Sequence, residues 1–74
     1  MKQKVRKYRV ELFHQDESMI KGMRSYFEKH ASLEDARRWA IKMGMNGNAE
    51  SVRLYVKNEN KYNRYEYVAE ISII

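Results

Sequence analysis

Hydrophobic and polar positions alternate in steps of two along several stretches of the chain, and in one stretch they fall at the helical period. From Val5 to Phe13, Tyr8, Val10 and Leu12 lie on one side and Lys7, Arg9, Glu11 and Phe13 on the other. That period predicts a half-buried strand. His14-Gln15-Asp16-Glu17-Ser18 breaks it with turn-type residues. Ser51 to Lys57 alternates as cleanly, with Val52, Leu54 and Val56 inward. Arg64 to Ile73 follows the same rule, with Tyr65, Tyr67, Ala69, Ile71 and Ile73 on one face.

Between these lies the segment with both ends marked. Ser32 is a candidate N-cap, Asp35 stands three residues on, and Glu34 adds negative charge to a first turn. Leu33, Ala36, Trp39, Ala40 and Met43 share one arc at the helical period, whereas Glu34, Arg38 and Lys42 point away. Gly44 supplies a stop, with Lys42 in the last turn, so a helix over about 32–43 is expected. Arg38 follows Glu34 by four positions, the spacing of an intrahelical ion pair, and Trp39 reads as the core's largest plug.

Met19 to His30 reads two ways. As a helix it carries Met19, Ile20, Met23, Tyr26 and Phe27 in a stripe; as a strand it turns Met23, Ser25 and Phe27 inward and Arg24, Tyr26 and Glu28 outward. Gly22 costs a helix interior about 1 kcal/mol. A helix ending at His30 would also leave almost no connection before Ser32, whereas helix–helix joints usually take ~2–8 residues. The strand is preferred. The fold class is therefore α+β: a single domain over 1–74, a β-β-α-β-β antiparallel sheet with one helix on one face. A helix over 18–30, giving β-α-α-β-β, is the alternative.

Cross-strand charge selects a register for the last hairpin. Pairing Lys57 with Glu66, Tyr55 with Val68 and Arg53 with Glu70 opposes unlike charges, with the turn at Asn60-Lys61-Tyr62-Asn63. A slip by two residues sets Lys57 against Arg64 instead.

One helix covers one side of a sheet, which leaves the other for solvent or a partner. That open face is expected to carry Lys7, Arg9, Glu11, Phe13, Arg24, Tyr26, Arg53, Tyr55, Lys57, Glu66 and Val68. Composition gives this list its meaning. Lys and Arg number 15 against 10 acids, a net charge of +5, which favours an anionic partner such as nucleic acid or an acidic protein surface. Cations interleaved with rings suit single-stranded nucleic acid, the cations meeting phosphates and the rings stacking on bases. Arg6, Arg9, Arg53 and Lys57 are the candidate phosphate contacts, Tyr26 and Tyr55 the candidate stacking platforms. Lys2, Lys4, Arg6, Lys7 and Arg9 form a basic N-terminal arm that suits the same ligand. Glu66 and Glu70 count against it, because they neutralise their neighbours, and no aromatic ribonucleoprotein signature is present.

Other chemistry finds little footing. The chain has no cysteine, which removes disulfides, thiolate zinc sites and cysteine nucleophiles and suits a reducing, cytoplasmic setting. His14 and His30 are the only histidines, and neither has an acid or serine at a spacing that makes a triad or a metal motif. No apolar run approaches the ~18 residues of a membrane span. A non-enzymatic binding or regulatory protein, without cofactor or metal, is the resulting expectation. The competing class is a protein–protein device: an inhibitor, an adaptor, or a phage or mobile-element accessory protein acting on a host complex. A homodimer burying Phe13, Tyr55 and Val68 is a third possibility, to which the Ile71-Ser72-Ile73-Ile74 end adds an apolar edge.

Overall fold

Cross-strand partners on an antiparallel ladder share a face, so the first strand dictates which side of its neighbours is buried. The computed structural model describes residues 5–14, 24–60 and 64–74. Its elements are β1 (Arg6–Phe13), β2 (Arg24–His30), α1 (Leu33–Asn46), β3 (Ser51–Lys57) and β4 (Tyr65–Ser72). The strands form one sheet in the order β2-β1-β3-β4, every neighbouring pair antiparallel. This is the expected β-β-α-β-β fold, with the helix on one face. Residues 24–30 are strand rather than helix; the rest of the ambiguous segment, 18–23, lies outside the described residues.

The core forms where Tyr8, Val10 and Leu12 of β1 and Val52 and Leu54 of β3 meet Ala36, Trp39 and Ala40 of α1, closed by Ala49. The Trp39 indole lies 5.1 Å from the His30 ring, which in turn lies 6.0 Å from the Tyr8 ring. Ser32 caps the helix as expected: its hydroxyl accepts from the Asp35 backbone N–H at 3.1 Å. Arg38 bonds Glu34 at 3.2 Å, the intrahelical pair that its spacing implies.

Expectations for three elements are corrected, first for α1. The helix runs to Asn46, past Gly44, and Gly47 is its C-cap, donating to the Met43 carbonyl at 3.0 Å. Asn48 takes the left-handed conformation, with φ at 56°. Gly44 serves close packing instead of termination. A Cβ there would stand 2.7 Å from Val52 Cγ1 and 3.0 Å from two carbons of Ile73. Val52 is stiff and fully buried, so Gly44→Ala is expected to destabilise the domain by about 1–3 kcal/mol, read as a lowered denaturation midpoint in urea. Leu33, expected inward, is 44% exposed. The first helical turn leaves the edge strand β2 after Ala31 and Ser32 and has no further strand beyond it to pack on.

The second correction concerns β2. Val10 pairs with Tyr26, Tyr8 with Glu28 and Leu12 with Arg24, so Tyr26, Arg24 and Glu28 take the helix side, and Tyr26 packs against the core. Ser25, Phe27 and Lys29 take the open side, the reverse of the expected assignment. With two aromatic residues adjacent, alternation within the segment cannot choose between them; the ladder with β1 does.

The third concerns β4. Arg53 pairs with Glu70 and Leu54 with Ala69, as expected, but Tyr55 then pairs with Tyr67, Val56 with Glu66 and Lys57 with Tyr65. A β-bulge between Leu54 and Tyr55 accounts for the shift: Val68 is the additional residue on β4. Val68 packs on the core side, while Tyr65 and Tyr67 move to the open face. Glu66 leaves that face and accepts from the Asn58 side chain at 3.0 Å. Asn60 lies in the turn between β3 and β4, as expected; positions 61–63 of that turn, like Lys2 and Lys4 of the basic arm, are outside the described residues.

Candidate nucleic-acid interface on the open sheet face

The open face divides into a half whose arginines are paired with carboxylates and a half whose lysines form no ion pair among the described residues. In the first, Arg9 donates to Glu11 and, at 3.2 Å, to the Ser25 hydroxyl. Tyr55 donates to the other Glu11 oxygen at 2.9 Å, and the Arg9 guanidinium lies 5.3 Å from the Tyr55 ring centre. Glu11 is thereby buried in the middle of a sheet face that no helix covers. The Tyr55 hydroxyl is held above the usual phenol range, first by burial and then by its bond to Glu11. Arg53 donates to Glu70 at 3.1 Å and lies 4.3 Å from the centre of the Phe13 ring.

These contacts change the parts assigned to two arginines. Arg9 and Arg53 lie on the open face as expected, but each is engaged by a carboxylate and a ring, and so braces the surface. Arg6 points to the helix side of β1, opposite His30, where it donates to the Lys57 carbonyl at 3.4 Å and lies 4.0 Å from Glu59. Tyr26 is on the wrong side of the sheet to join them. Lys57 remains on the face.

The other half of the face is built from residues at the Arg6 end of β1. Lys7 pairs with Lys29 directly across the ladder, and Lys57 follows Val56, which pairs with Tyr8, so Lys57 stands on β3 beside Lys7. These lysines, with Arg6, Val5 and Glu59, line one shallow cleft. None of the three lysines forms an ion pair among the described residues. Like charges placed opposite each other destabilise a ladder by about 0.2–1 kcal/mol, so this row does nothing for the fold by itself. Beside it are rings: Phe27, 51% exposed, with Lys7 Nζ 5.6 Å from its centre; Tyr65, 5.6 Å from Phe27; and Tyr67, 59% exposed and edge-on to Tyr55 at 5.9 Å.

Alternation alone assigns Lys7 to this face. It does not assign Lys29, Phe27, Tyr65 or Tyr67 there. For Tyr65 and Tyr67 a signal exists in the chain: Val68-Ala69 puts two apolar residues in succession and so interrupts the alternation. With Val68 on the helix side, Phe13, Tyr55 and Val68 cannot form one dimer surface.

Among the described residues, no group of three or more His, Asp or Glu side chains is placed to hold a metal ion, and no helix is long and apolar enough to cross a membrane. No protein-family model, curated protein or solved structure matches the chain.

Proposed function

We propose that this chain is a cytoplasmic, non-enzymatic binding protein that takes single-stranded nucleic acid on its open sheet face. The observation that carries the reading is the row Lys7, Lys29 and Lys57, in a cleft where Glu59 is the one acid among the lining residues, without an ion pair among the described residues and set beside exposed rings. A polyanion relieves the repulsion within that row, and rings at its border stack on bases whatever their identity. A duplex hides its base faces, so it has less to offer Phe27, Tyr65 and Tyr67. Glu11 and Glu70, which would repel a phosphate, are each tied to an arginine in the other half of the face.

Titration with a fluorescein-labelled oligothymidylate tests the reading through its salt dependence. Single strands release about 0.7 counterions per phosphate contacted, so three lysine contacts give a log–log slope near −2. Affinity should fall roughly 20-fold between about 50 and 200 mM salt. Absence of binding at low salt, or binding indifferent to salt, refutes it. Capture of one specific protein, unaffected by nuclease, would favour the adaptor class instead.

A further inference from the structure

We propose that Phe27 and Tyr65 form a clasp that takes one nucleobase between their rings, with the flanking phosphates on Lys7, Lys29 and Lys57. The inference rests on the nucleic-acid reading above and specifies how a strand is held. β2 and β4 are the two edges of the sheet, with β1 and β3 between them. At about 4.8 Å per strand spacing, their backbones would be roughly 14 Å apart in a flat sheet. Yet the Phe27 and Tyr65 ring centres are 5.6 Å apart. The two side chains therefore lean toward each other across the middle strands, at the end of the face that carries the lysines.

The spacing and inclination of this pair suit a flat guest. A base sandwiched between two rings needs them about 7 Å apart, twice the ~3.5 Å contact distance of carbon atoms. The observed separation is short of that by an amount that side-chain rotation can supply. The rings are inclined at 58°, so they are not locked in a stack of their own, and Phe27 is half exposed and outside the core cluster. Tyr55 and Tyr67 make a contrast. Tyr55 is pinned by Glu11 and Arg9, so that pair is a fixed floor beside the clasp and not a second jaw.

The surrounding charge selects among flat guests. Lys7 and Lys29 face each other at the Phe27 side, and Lys57 is directly opposite Tyr65. A cationic guest is repelled there, although paired rings alone would attract one. A planar ring with an anion attached on each side is what the arrangement fits, and that describes one nucleotide within a strand.

Two probes separate the base from its phosphates: an oligothymidylate about ten nucleotides long, and an abasic oligomer with the same number of phosphates. The wild-type protein is expected to bind the oligothymidylate about tenfold more tightly, with the same salt slope for both. Phe27→Leu and Tyr65→Leu should each bring the oligothymidylate affinity close to that of the abasic oligomer, whose own binding is unchanged. Phe27 is exposed enough that its variant will fold, and its melting curve establishes this. Equal wild-type affinity for the two probes, or Phe27→Leu retaining the tenfold preference, overturns the clasp while leaving nucleic-acid binding intact. Failure of the wild-type protein to bind either probe at low salt overturns both.

Discussion

Trp39→Ala is expected to lower the melting temperature by at least ~12 °C, the largest loss of stability from any single side-chain truncation in the domain. Trp39 is buried at the junction of α1 with the sheet, its indole against the His30 ring and, through it, against Tyr8. Truncating a buried tryptophan costs about 3–5 kcal/mol, and each kcal/mol moves the midpoint by ~4–8 °C in a domain of this size. A chain of 74 residues has roughly 4–11 kcal/mol of total stability, so the variant keeps little reserve. Thermal melting followed by circular dichroism measures the effect. A shift of less than about 4 °C would mean that the site costs no more than a surface change, and that α1 is not held through Trp39.

The largest effect on binding is expected from the triple substitution Lys7→Gln, Lys29→Gln, Lys57→Gln. Each lysine near a polyanion contributes about 1 kcal/mol, so affinity for an oligothymidylate should fall on the order of a hundredfold. The salt slope should approach zero, because the counterion-releasing contacts are gone. Stability should move the other way. Removing the Lys7–Lys29 opposition relieves the ladder by about 0.2–1 kcal/mol, so the triple variant should melt no lower than the parent at low salt. The combination of lost binding with retained or improved stability is the signature of a charge row that serves a ligand. A triple variant that binds with unchanged salt slope would place the phosphates elsewhere. As a comparison, Arg53→Gln should cost little affinity, because Glu70 and Phe13 already occupy that guanidinium.

The fold was legible wherever one residue type dominates one side of an element. Tyr8, Val10 and Leu12 against Lys7, Arg9 and Glu11 leave no choice of face, and Ser32 with Asp35 marks a helix start that the structure reproduces. Legibility stopped where neighbouring residues offered the same chemistry. Gly44 and Gly47 are both credible helix stops, and only the approach of Val52 and Ile73 shows that the first is an interior contact. Tyr26-Phe27 gives either face an aromatic residue, and pairing with Val10 decides between them. Charge chose Arg53 with Glu70 correctly, yet the same rule could not see the bulge a few residues away, because Tyr65 and Tyr67 suit an inner face as well as an outer one. At the candidate site, net charge pointed to an anionic ligand but not to which cations are spent. Arg53 loses its freedom to Glu70 across the ladder, and Arg9 to Glu11, two residues along the same strand and face; side-chain placement on the assembled sheet, not the count of charges, shows this.

The bulge at Val68 means that β4 is written in two phases. From Ala69 onward, odd-numbered residues turn to the helix side; at Tyr67 and before, odd-numbered residues belong to the open face. A complete substitution scan of positions 65–72 should therefore show tolerance alternating with one parity, then inverting at residue 68. Deleting Val68 would close the bulge and restore unbroken alternation, with Tyr67 joined to Ala69 and still opposite Tyr55, so Tyr65 and Tyr67 would keep their face and the core would lose only the Val68 side chain. The one surplus residue lets the two ends of a short edge strand turn opposite parities to the core, so that the phase of one end does not dictate that of the other.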